Sequence, residues 1–227
     1  MPRVISVGNN KGGTGKTTTS INLAHGLVRS DPETAPTVLL IDADEQSGTT
    51  SAWCDIRDGE PPPFQVVAMR SPTIHRELPP LLSKTQFNYV VIDCPPGGVA
   101  QGSRMTRSAM WVSDLFIMPA APSGPDFWAS DPMKQLIQQA ADDGKLITAR
   151  LLINRKTGGT RLGRNSKAIA AGLVDIEAFR TEISQRASIA EAITRGLTIY
   201  EFEPGGIAAY EYNHLAEEVI ECLNHKI

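Results

Sequence analysis

The densest chemistry in the chain lies near its amino terminus, in Gly8-Asn9-Asn10-Lys11-Gly12-Gly13-Thr14-Gly15-Lys16-Thr17-Thr18. Glycines let the backbone turn tightly, so that the N–H groups from Gly12 to Thr18 can face one anion, and a following helix adds the partial positive charge of its N-terminus. In such a loop Lys16 reaches the β and γ oxygens of a nucleoside triphosphate, and the Thr17 hydroxyl completes the shell of a Mg²⁺ ion. The run Val4-Ile5-Ser6-Val7 before the loop and the helix-like residues 17–29 after it give the strand-loop-helix setting that this motif needs. Two further apolar runs deliver carboxylates. Residues 38–41 lead into Asp42-Ala43-Asp44-Glu45-Gln46-Ser47-Gly48, and residues 89–92 into Asp93-Cys94-Pro95-Pro96-Gly97-Gly98. A carboxylate at the first place can accept a hydrogen bond from a water lying in line with a γ-phosphate, and Asp93 at the second would hold Mg²⁺ directly or through water. ATP with Mg²⁺ is the implied ligand.

Short, mostly β-branched apolar runs must hold these groups: residues 4–7, 38–41, 89–92, 115–118 and 151–153, each closed by polar, Gly or Pro residues. Runs of this kind are typical of buried strands in a parallel sheet. Helix-like patterns lie between them, at 17–29 and at 133–141, where Asp131 offers an N-cap and Pro132 a first helical residue. The alternation predicts an α/β fold, a doubly wound, mostly parallel sheet with helices on both faces and its ligand at the carboxyl ends of the strands. Segments 30–36 and 58–63 read as connecting loops. Residues 208–223 read as a closing helix that packs Tyr212, Leu215, Val219 and Leu223 on the sheet, with Glu217, Glu218 and Glu221 on its polar face.

A chain of 227 residues with 41% apolar and 21% charged content fits one domain spanning 1–227. A net charge of -3 argues against a protein that coats nucleic acid everywhere, while leaving room for a local basic face. Cys54, Cys94 and Cys222 are far apart and odd in number, which suits a reducing cytosol and gives neither a disulfide framework nor a CxxC metal site. Without a bilayer-length apolar run or a signal-peptide core, a soluble, cytoplasmic protein is expected.

Lys11 completes KGGTGKT, which resembles the KGGxGK[T/S] loop of the deviant Walker A ATPases, the P-loop NTPase group of ParA, MinD, the nitrogenase iron protein and their relatives. The segment at 42–48 is similar to that family's DxDPQG, with Glu45 where the family usually has proline, and residues 90–97 look like its Walker B strand. The likeness runs through residues 113–119, 179–186 and 200–212, and is nearest to the short, ParF-like (type Ib) partition proteins. It implies an ATPase of weak intrinsic rate with Lys11, Lys16 and Asp44 as its catalytic residues. Lys11 would cross a dimer interface to the partner's phosphates, and Asp44 would orient the attacking water. Asn154 stands where relatives place an adenine-reading asparagine; a strand-end Asn capping a turn is the alternative. Residues 150–186 hold eight basic against three acidic side chains, in the part where ParA-like proteins bind DNA without sequence preference. Arg186 aligns best with that role, Arg161, Arg164 and Lys167 are further candidates, and a solvated basic surface is the alternative.

The resemblance thus implies an ATP-driven homodimer on nucleoid DNA, released when a ParB- or ParG-like adaptor stimulates hydrolysis, with no stable membrane association. Rival readings are a MinD-like membrane switch, which would need a basic amphipathic helix where residues 216–227 lack a basic face, a metabolic or iron–sulfur relative, and a tyrosine kinase with a tyrosine-rich tail. Because the first strand begins at about residue 3, no N-terminal helix-turn-helix and no site-specific autorepression are expected.

Overall fold

The computed structural model describes residues 1–45, 48–57, 59–97, 100–128, 130–158, 167–168, 170, 174 and 176–224. Among them the strands are β1 (Arg3–Val7), β2 (Val38–Asp42), β3 (Gln65–Ala68), β4 (Tyr89–Asp93), β5 (Leu115–Ala120), β6 (Thr148–Lys156) and β7 (Ala178–Ser184). The helices are α1 (Lys16–Arg29), α2 (Thr49–Asp55), α3 (Ile74–Leu82), α4 (Ala100–Val112), α5 (Gly124–Trp128), α6 (Asp131–Asp142), α7 (Ala187–Thr194), α8 (Ile199–Phe202) and α9 (Ile207–Asn224). All strands join one sheet in the order β3-β2-β4-β1-β5-β6-β7, and every pairing is parallel.

Successive side chains of a strand point to opposite faces, and here both sets are apolar because both faces are covered. Ile5, Val7, Leu40, Val91, Ile117 and Leu152 pack toward one face with Ile21 and Leu27 of α1 and Tyr212, Leu215 and Val219 of α9. On the other face, Val4, Leu39, Ile41, Val90 and Ile92 meet Leu78 of α3 and Met105 of α4, while Phe116, Met118, Leu151 and Ile153 meet Phe127 and Met133. Each such fully buried side chain contributes about 1.5–3 kcal/mol relative to exposure. This is the doubly wound arrangement that the alternating pattern predicts.

Several elements differ from the sequence expectation. β3 and β7 are strands that the apolar runs do not predict. α3 forms although Pro79 and Pro80 lie inside it. The cap of α6 falls one residue earlier, on Ser130, with Asp131 in the first turn. Glu218 does not line a solvated face: it is 8% exposed. The register between β6 and β7 slips, and there the backbone N–H groups of Arg180 and Thr181 donate to the Glu218 carboxylate at 2.6 and 2.9 Å. Burial pushes that carboxyl up, but these two donors and the Arg180 guanidinium outweigh it and hold it below its ordinary value.

A polar node ties α1, α2 and α8 together on the first face. Thr198 and Glu201 form a capping box that starts α8, and Glu201 also receives the guanidinium of buried Arg57 at 2.7 Å. His25 lies 2.7 Å from the Thr198 hydroxyl. Since that hydroxyl donates to Glu201, His25 Nδ1 carries the proton and donates in turn.

Candidate nucleotide site

The carboxyl ends of β2, β4 and β1 stand level, with Asp42 opposite Asp93 and Asp93 opposite Val7. Loops leaving these ends therefore converge on one crevice, as expected where a doubly wound sheet reverses its strand order. The loop after β1 supplies its floor. Gly13 and Gly15 adopt φ of 74° and 87°, the left-handed region that glycine enters without strain, and a Cβ on Gly12 or Gly13 would meet nothing within 4 Å. α1 begins at Lys16 with no side-chain cap and no acidic residue in its first turn. Its first N–H groups and its positive dipole end are thus left for an anion, which fits a phosphate chain.

Lys16 is 7% exposed and its Nζ donates to Lys11 O at 3.2 Å. Burial pulls its ammonium below the ordinary value, against the nearby Asp93, Cys94 and Asp44. Asp93 receives the Ser20 and Thr50 hydroxyls at 3.1 and 3.2 Å. Burial pushes its carboxyl up to about 7 against hydrogen bonds from Thr17 and Ser20. A hydroxyl and a carboxylate side by side are hard oxygen donors of the kind Mg²⁺ takes alongside substrate phosphates, so Thr17 and Asp93 fit that ion.

Asp44, 5% exposed, lies two residues beyond β2, and its N–H donates to Asp42 Oδ1 at 3.0 Å. The other Asp42 oxygen receives Arg70 at 2.7 Å and Ser51 at 2.8 Å, which fixes the base of the Asp44 loop. Lys11 stands at the rim with its side chain 43% exposed, and its Nζ pairs with Asp126 of α5 at 2.9 Å. Asp126 is in turn bonded to Ser123. Thr14 is buried, and Thr18 lines the wall of an adjoining cavity of about 310 Å³ with Gly15, Asn154, Arg155, Arg186 and Tyr212.

Asn154 is 3% exposed, and its amide is engaged locally: Nδ2 donates to Thr14 O at 2.8 Å and Oδ1 accepts the Arg155 N–H at 2.9 Å. Arg155 has φ of 55° and donates from Nη1 to Gly13 O at 2.8 Å.

Of the four candidates for DNA contact, Lys167 and Arg186 are among the described residues. Arg161 and Arg164 lie outside the described residues. Lys167 is exposed and donates to Arg180 O. Arg186 lines the cavity beside the phosphate loop, 4.0 Å from Glu211. The segment is also less basic than its own charges suggest. Arg180 pairs with Glu218 and Glu221, and Arg186 with Glu211, so acids from α9 fold onto the strip.

Residues that the motif reading did not single out complete the site. Asn9 ties the loop to β5 through Pro119 O at 2.8 Å and accepts the Lys11 N–H at 3.2 Å. Ser20 follows Lys16 by one helical turn, a spacing that could have revealed it; Arg70 and Arg155 carried no comparable signal.

Comparison with known proteins gives a concordant result. A family model described as an AAA domain matches residues 2–62. Maintenance of carboxysome distribution protein A from Halothiobacillus neapolitanus is 29% identical over 217 residues, covering 95% of this chain and 95% of that protein. Chromosome-partitioning ATPase Soj from Thermus thermophilus is 28% identical over 251 residues, covering 96% of this chain and 95% of that protein. Among solved structures, the cell division ATPase MinD of Pyrococcus furiosus superposes with a TM-score of 0.72 at 20% identity, over 97% of this chain and 99% of that one. In its phosphate loop and over nearly its whole length the chain is thus similar to partition and positioning ATPases of the ParA type, and its fold is the one that MinD shares.

Proposed function

We propose that this chain is an ATP-driven positioning switch that dimerises on ATP, binds DNA without sequence preference and lets go when a partner protein stimulates hydrolysis. The triphosphate lies on the N–H groups of Gly12 to Thr18, with Lys16 on the β and γ oxygens and the base side in the cavity beside Asn154. Thr17 and Asp93 would hold Mg²⁺, which neutralises phosphate charge. Asp44 accepts a hydrogen bond from a water in line with the γ-phosphate, which is most of what phosphoryl transfer asks of a protein.

The observation that carries the reading is the position of Lys11. Lys16 already fills the buried cationic place in its own site, whereas Lys11 stands half-exposed at the rim, bound to Asp126. A ligand shifts an equilibrium only by its differential affinity, so the γ-phosphate must touch something present in the dimer alone, and Lys11 reaching the partner's nucleotide meets that requirement. Relatives named for carboxysome distribution and chromosome partitioning support cargo positioning. The basic segment 150–186 is the part assigned to DNA, on the nucleoid. Among the described residues no helix is long and apolar enough to cross a membrane, and the exposed Glu217 and Glu221 of α9 disfavour an anionic lipid surface.

The test is binding to random-sequence duplex DNA with ATP, with ADP and without nucleotide, at low and moderate salt, using Asp44→Ala to block hydrolysis. Binding that needs ATP, weakens with salt and persists in Asp44→Ala is expected; no binding under any condition refutes the DNA-tethered switch.

A further inference from the structure

We propose, building on the nucleotide reading above, that Asn154 and Arg155 are positioning residues for the phosphate loop, which they hold from behind, and that Asn154 works on the loop rather than on the base. In a planar trans peptide the C=O and N–H point opposite ways. Holding the Gly13 carbonyl outward therefore aims the Thr14 N–H inward, and holding the Thr14 carbonyl outward aims the Gly15 N–H inward. These two carbonyls are the ones held: Arg155 donates to Gly13 O and Asn154 to Thr14 O, each at 2.8 Å. The partners of the Asn154 amide, a carbonyl and an N–H, also fix which way round it lies.

Two further features belong to the same device. Neighbouring residues of a strand point to opposite sides, so two consecutive side chains would not both reach one loop from regular β6. Arg155 leaves the strand geometry at φ of 55°, a conformation unfavourable for arginine, and its guanidinium arrives on the loop beside Asn154. On the loop itself, a Cβ at Gly15 would lie 2.3 Å from Asn154 Nδ2. Glycine at 15 is needed for its backbone and also to let the asparagine close in. The end of β6 thus sets the loop's N–H groups toward the anion before any ligand arrives, which lowers the ordering cost of binding.

Titration calorimetry with Mg²⁺ separates the roles, using ATP and inorganic tripolyphosphate as ligands. Asn154→Ala and Arg155→Gly should each weaken both ligands by the same factor, about fivefold to tenfold, as expected for one lost hydrogen bond in a preorganised site. Glycine takes positive φ freely, so Arg155→Gly should keep or raise the thermal midpoint while losing affinity. A merely structural role would move stability and affinity together. Unchanged tripolyphosphate affinity in both variants overturns the inference, and if ATP alone weakens in Asn154→Ala, the residue reads the base. A wild-type chain that binds neither ligand overturns the nucleotide reading and this inference with it.

Discussion

Removing the charge of Asp126 should make ATP-driven dimerisation easier. In the single chain Lys11 pairs with Asp126 at 2.9 Å, with the two side chains 43% and 13% exposed. Reaching a partner's phosphates requires that pair to open in both subunits. A pair this close to solvent is worth about 0.5–1 kcal/mol after screening. Two of them oppose the dimer by about 1–2 kcal/mol, which corresponds to roughly a fivefold to thirtyfold change in the dimer dissociation constant. Asp126→Asn keeps the shape and the contact with Ser123 but removes the competing charge. Sedimentation velocity over a protein dilution series, with ATP and in an Asp44→Ala background, should place the dissociation constant lower by that factor, with a smaller gain at high salt. An unchanged or weakened dimer would show that Lys11 is not released from Asp126 when the dimer forms.

Two further outcomes concern the scaffold. Burial, with Arg29 and Arg57 adding to it against Glu201, holds His25 down to about 4; below its unfolded value the unfolded chain binds a proton that the folded one refuses. Stability should therefore fall as pH drops from about 6.5 toward 4, by up to about 3 kcal/mol, and His25→Asn should remove that part of the slope in urea unfolding at pH 7, 6 and 5. Glu218→Ala strands the N–H groups of Arg180 and Thr181 and should lower unfolding free energy by about 2–4 kcal/mol, whereas Glu218→Gln, which keeps an acceptor, should lose less than half of that. Because the Glu218 carboxyl lies below its ordinary value, its contribution is present above that value and lost as pH falls through the lowered one.

The phosphate loop was legible because its chemistry is local: glycine spacing, a lysine and a hydroxyl, all within one turn of chain. The strand ends carrying Asp44 and Asp93 were legible because both faces of the sheet are covered, so β2 and β4 read as unbroken apolar runs. β3 was not, since this edge strand is short and mostly exposed and has no such run. α3 hid behind Pro79 and Pro80, which argue against a helix locally but are carried by the packing of Ile74 and Leu78. The charge count over 150–186 misjudged its surroundings, because Glu211, Glu218 and Glu221 reach it from α9, far along the chain. Arg155 gave no signal, as nothing in an arginine announces a left-handed backbone.

The bare start of α1 reaches beyond binding. A helix whose first turn has neither cap nor acid is finished by its ligand, so the folded state of this chain is tied to the energy supply of the cell. An ATP pool a hundred times above the dissociation constant adds about 2.7 kcal/mol to folding. A chain without nucleotide at this helix end lacks that increment and spends more time open to proteases.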